Sequence, residues 1–223
     1  QDYEFSIYKD KLPDSAYKQK AIEWRQYFHE RFNNNVLNLD NFRIMLQDMH
    51  RISAYKWSTI AEAWTIRNEE VEWWYRLWAK NYVDWLAKKY KLWDVSKTNT
   101  PYTRYAKTWE LNTLFTEAAL YLSNIKWEMA NAYPNKLIIL KNLADYYHTI
   151  LYARPMGNVN NSMFMNQVNY LLKQAGMQPV PHGHLDHIAT RVSKEQFRVV
   201  FDIHIKWLLP LSTEKMREDN INN

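Results

Sequence analysis

Two short stretches hold residues whose types and spacing could do chemistry. The first is Arg154-Pro-Met-Gly-Asn-Val-Asn-Asn-Ser162, a polar loop that opens an apolar segment. The first backbone N–H groups of a helix have no partner within it, and a phosphate or another anion satisfies them. Asn158, Asn160, Asn161 and Ser162 add side-chain donors, while Arg154 adds a fixed positive charge and a planar fork suited to phosphate. The same residues support a second reading, in which the asparagine oxygens accept those N–H groups and the helix caps itself. The second stretch is His182-Gly-His184-Leu-Asp186-His187, where imidazoles and a carboxylate are grouped as zinc ligands can be.

The histidine string has the form of the metallo-β-lactamase motif, but its surroundings differ. That family feeds the motif from a β-strand and carries further ligands far downstream. Here a helix and Val180-Pro181 come before it, and His204 is the only later histidine. We therefore expect no zinc site, and Asp186 to support the local backbone at a helix start. Cysteine is absent, which excludes disulfides, zinc thiolates, iron–sulfur clusters and a cysteine nucleophile. No G-x-S-x-G elbow, P-loop or G-x-G-x-x-G occurs.

The elements that must position these residues read as helices. The 223 residues include only 3 glycines, all beyond residue 156, so folds built from many tight turns are disfavoured. The expected class is all-α, a compact helical bundle with a small flap hairpin as an option. Residues 1–13 look extended. Asp14 or Ser15 starts a helix that Asn33–Asn35 ends, and Asp40 caps a short one over 41–49. Trp57, Trp64, Val71, Trp78, Trp85 and Leu92 recur every seven residues, which predicts one long helix with a buried tryptophan stripe. The turn-rich segment 96–103, with Pro101, suits an exposed flap. Further helices are expected over 106–132, from Pro134 to Ala153, from Ser162 to Gly176, from His184 and over 194–209. Residues 1–95 then form a helical region packed on a core of 96–212, with 213–223 as a polar tail.

The formal net charge of +5 is spread among mixed acids and bases, so nucleic acid is not an expected partner. No apolar run approaches the roughly 18–20 residues needed to cross a bilayer. The oligomeric state is not legible.

The stretch from Leu143 to Gly176 resembles the Fic/Doc (Fido) family. Its signature H-P-F-x-x-G-N-G-R-x-x-R falls on R-P-M-G-N-V-N-N-S-M-F-M, Arg154 to Met165, with Pro155 and Asn160 matching. Asn169 and Gly176 stand where family members often carry an asparagine and a helix-ending glycine. The departures are Arg154 for the catalytic histidine, Val159 and Asn161 for two glycines, and Ser162 and Met165 for two arginines. The resemblance implies a compact helical fold and a transferase that binds a nucleotide or nucleotide-sugar donor, with magnesium an option, and modifies a target protein. It also suggests a secreted bacterial effector acting in a host cytosol. Arginine stays protonated and is no general base. The base must then come from elsewhere, with His148, His182, His184, Asp186 and His187 as candidates. Without one, the resemblance implies an inactive scaffold that binds a partner protein.

Overall fold

The computed structural model describes residues 14–52, 68–69, 84–85, 88–89, 91, 103–156, 160–179 and 185–205. The extended start, most of the tryptophan stripe, Pro101, Asn158, His182, His184 and the polar tail lie outside the described residues.

Helix α1, Asp14–Asn34, buries Trp24, Phe28 and Phe32, one residue per turn on a single face. Trp24 stacks on Phe28 with ring centroids 5.4 Å apart. The asparagine run ends α1 as expected. Lys126 Nζ then donates to the carbonyls of Asn33 (2.7 Å) and Asn35 (3.1 Å). Helix α2, Leu39–Ile52, starts earlier than its apolar pattern suggested. Its cap is Asn38, whose Oδ1 accepts the Asn41 N–H at 3.0 Å, and Asp40 sits inside the first turn. Phe42, Met45, Leu46 and Met49 form its buried face.

The long tryptophan helix is corrected in part. Asn68–Glu69 (β1) pairs antiparallel with Thr103–Arg104 (β2), Asn68 opposite Arg104 and Glu69 opposite Thr103. Backbone groups paired in a ladder cannot close helical bonds, so Asn68–Glu69 lies outside any helix, while most of the expected 57–92 helix lies outside the described residues. Trp85, expected in the core, is 50% exposed, with Lys89 Nζ 4.6 Å from its ring centroid. β2 begins on the last residue of the flap segment, and its partner is this distant pair of residues.

A 3₁₀ turn, Thr108–Glu110, leads into α3, Leu111–Met129. Asn135 then caps α4, Lys136–Ala153, its Oδ1 accepting the N–H groups of Leu137 and Ile138. The short connection makes α3 and α4 a helical hairpin. α4 is the central helix: it packs on α3 most extensively, and on α5 and α6. Of its 18 residues, 11 are buried, which is why the sequence reads apolar nearly all round. Each buried leucine or isoleucine contributes about 1.5–3 kcal/mol relative to exposure.

α5, Asn160–Gln174, stops where the glycine predicted. Gly176 adopts φ +67°, the Met177 N–H reaches the Leu172 carbonyl (2.8 Å), and the Gly176 N–H reaches that of Lys173 (3.0 Å). These two bonds satisfy the last carbonyls of the helix in a Schellman arrangement. α6 is the short Leu185–Ala189. The chain is helical again over 194–205 (α7). Ser193 and Gln196 open α7 by a reciprocal box: Gln196 Oε1 accepts the Ser193 N–H (3.0 Å) and Ser193 Oγ accepts the Gln196 N–H (3.2 Å).

The described helices share one core. Phe42 on α2 meets Phe115 on α3 and Tyr146 on α4, and Phe28 on α1 meets Tyr170 on α5 edge-on. The fold is all-α, as the glycine poverty implied. Among the described residues no helix is long and apolar enough to cross a membrane.

Candidate functional site

The loop between α4 and α5 is set by its first residue. Arg154 ends α4 in the left-handed conformation (φ 47°, ψ 64°), with its N–H on the Ile150 carbonyl at 2.9 Å. The following Pro155 clashes with a helical backbone at Arg154, so the chain leaves the helix there. The Arg154 guanidinium lies over the Tyr105 ring, 4.6 Å from its centroid. Tyr105 is held close because the Ala106 N–H bonds the Tyr152 carbonyl (3.0 Å).

Asn160 closes the loop. Its Oδ1 accepts the Met156 N–H at 2.8 Å and its Nδ2 donates to the Met156 carbonyl at 2.7 Å. Both ends of the amide thus grip one backbone unit, at a residue whose side chain is itself buried. Asn161 Oδ1 accepts the Tyr147 hydroxyl at 2.5 Å. These partners of the two asparagine oxygens lie outside the first turn of α5. Ser162 belongs to that turn.

Tyr147 joins the α5 start to α6. Burial raises its hydroxyl pKa well above the ordinary value, and the nearby charge of Asp186 raises it further. The phenol therefore stays protonated and donates to Asn161. The charge that acts on Tyr147 from α6 is that of Asp186, a residue proposed from the histidine string. His187 shares its short helix, whereas His182 and His184 lie outside the described residues. Among the described residues no group of three or more metal-ligating side chains converges.

His148 sits one residue from Tyr147 but points elsewhere. Its Nε2 bonds the Val192 carbonyl at 2.9 Å, and a carbonyl accepts only, so the proton is on Nε2. Nδ1, left with the lone pair, is enclosed and has no hydrogen-bond partner. Burial lowers the pKa of the ring, which stays neutral at pH 7. A neutral imidazole is the right form for a general base, but in this conformation its lone pair faces protein.

α7 braces the site from outside. Arg198 grips buried Asp145 with two bonds, Nε to Oδ1 at 2.5 Å and Nη2 to Oδ2 at 2.8 Å. Phe197 stacks on Tyr147 and tilts against His148, with centroids 5.8 and 5.6 Å away. On the other side, Tyr146 donates to Gln167 Oε1, and Gln167 Nε2 reaches Met49 Sδ at 3.0 Å. Sequence reasoning passed over Tyr147, Tyr105 and Asp145. The adjacent pair Tyr146-Tyr147 inside an apolar helix was the available signal, since a buried phenol needs a partner.

The structure thus bonds Asn161 to Tyr147 and Asn160 to Met156, places Arg154 at the loop entrance, and turns His148 towards Val192. No protein-family model, curated protein or solved structure matches the chain.

Proposed function

We propose that the chain is a Fido-like transferase that binds the phosphates of a nucleotide or nucleotide-sugar donor at the start of α5 and passes a group to a target protein. One observation carries this reading. The oxygens of Asn160 and Asn161 accept from Met156 and Tyr147, partners outside the first turn of α5. In this reading the amides opening α5 are the phosphate site, with Arg154 supplying positive charge.

In this reading Asn160 shapes the loop, and its side chain does not touch the donor. Tyr147 orients Asn161. Asp186 replaces His148 as the leading candidate for the base: it takes the proton as a target hydroxyl attacks the donor's phosphorus or anomeric carbon, and the rest of the donor departs with the bonding electrons. Titration calorimetry with ATP, UTP and sugar nucleotides tests the binding step. At least one donor should give heat that Arg154→Ala weakens. No heat and no thermal shift with any donor would remove the proposal.

The second reading is an inactive scaffold that binds a partner protein. Its support is that Arg154, standing where the family has its histidine, ends α4 and stacks on Tyr105. Partner binding that survives Arg154→Ala and Asn160→Ala, with no mass change on the partner, would favour it.

A further inference from the structure

The tip of the α3–α4 hairpin carries an apolar surface that the core does not use. Tyr133 is 94% exposed, Trp127 70%, Leu137 69% and Ile138 43%. All four lie in the last turn of α3, the connection, or the first turn of α4. Asn124 Nδ2 donates to Oδ1 of the buried Asn142 at 3.2 Å, which ties the two helices along one edge of the hairpin. Trp127 lies three residues beyond Asn124 towards the tip, and Ile138 four residues before Asn142, so both lie along that edge. Leu120, a further 55% exposed, extends it along α3.

The charge of the hairpin is mostly basic. From residue 118 to residue 144 the charged groups are Lys126, Lys136 and Lys141 against a single carboxylate, Glu128, while the flanking Glu117 and Asp145 pair with Lys194 and Arg198. Glu128 is buried and accepts the Asn135 N–H at 2.6 Å. Lys126 Nζ and Lys136 Nζ donate to backbone carbonyls, and among the described residues neither pairs with a carboxylate. Lys141 is exposed and lies one turn beyond Leu137 on the same face.

The exposed set is a tryptophan, a tyrosine and two aliphatics on a hairpin turn. They match what enters the headgroup layer of a bilayer, where aromatic side chains bury an apolar body and keep a polar edge wet. Lysines beside them favour acidic headgroups. We propose that the α3–α4 tip docks on an anionic lipid bilayer, with Trp127, Tyr133, Leu137 and Ile138 entering the interface and Lys126, Lys136 and Lys141 above acidic headgroups. The inference does not depend on donor binding at α5.

Co-sedimentation of the full chain with vesicles tests it. Equimolar phosphatidylserine and phosphatidylcholine vesicles should carry the protein down, pure phosphatidylcholine much less, and added salt should release it. Lys141→Gln should weaken binding about fivefold, as expected for one charge near such a surface. Trp127→Ser with Leu137→Ser should weaken it by about tenfold or more. These side chains are exposed, so circular dichroism and melting should not change. Failure of the wild-type chain to sediment with either vesicle overturns the proposal, as does sedimentation that the paired serine variant retains. Self-association abolished by that variant, without vesicle binding, would instead make the tip a contact between copies and also overturns it.

Discussion

Replacing Asn160 with alanine separates two jobs that this side chain could have. In the structure it makes two bonds to the backbone of Met156, at 2.8 and 2.7 Å. A hydrogen bond of this kind is worth about 1 kcal/mol net, and a buried group left unsatisfied costs somewhat more. The two together give a loss of about 2–3 kcal/mol for Asn160→Ala. At about 2–4 °C per kcal/mol for a chain of this size, the melting temperature should fall by about 4–12 °C. Asn160→Asp keeps the acceptor for the Met156 N–H and loses the donor to its carbonyl, so it should fall between the two. Thermal denaturation followed by circular dichroism, with urea melts for the free energy, reads both values. An asparagine that served a phosphate directly would lose donor affinity on substitution with little change in stability. A midpoint for Asn160→Ala within about 1 °C of wild type would refute the clamp.

Other parts of the structure give sharp expectations. Arg198→Ala leaves Asp145 as a buried carboxylate without its cation and should cost about 2–4 kcal/mol in urea melts; the one-third exposure of Arg198 keeps this below the full buried-pair value. Gly176→Ala should cost about 1–2 kcal/mol from the left-handed backbone alone, because an added Cβ meets only Lys136 Nζ, at 4.0 Å. Burial depresses the pKa of His148 and of His204 below the ordinary 6.5. The unfolded chain therefore binds protons first as pH drops, so stability is full above about 6.5 and falls below it. His148→Gln, which can still donate to the Val192 carbonyl, should flatten that slope in urea midpoints measured from pH 7.5 down to 5.

What could be read from the sequence was what local chemistry decides. The asparagine run closed α1, Pro155 turned the chain at Arg154, and Gly176 took the left-handed cap, because each acts on its own backbone. The tryptophan heptad misled at Asn68–Glu69, where pairing with Thr103–Arg104 overrides a periodicity that knows nothing of residues so distant. Asp40 looked like a cap, yet Asn38 holds the free amide. Both are cap formers, and the apolar pattern does not say which is first. At the site, the asparagines and Asp186 stood out by type. The bond from Tyr147 to Asn161 was hidden, because the helices that carry them meet only in three dimensions. The Asp145–Arg198 pair spans 53 positions and leaves no local trace.

In the proposed function the amides that open α5 receive an anion. Backbone amide shifts of the labelled protein during titration with ATP and with sugar nucleotides test this directly. The predicted result is that residues 160–163 move first and furthest with at least one donor, and that Arg154→Ala weakens the response. Amides of 160–163 that stay still while every donor is taken to high concentration would contradict it.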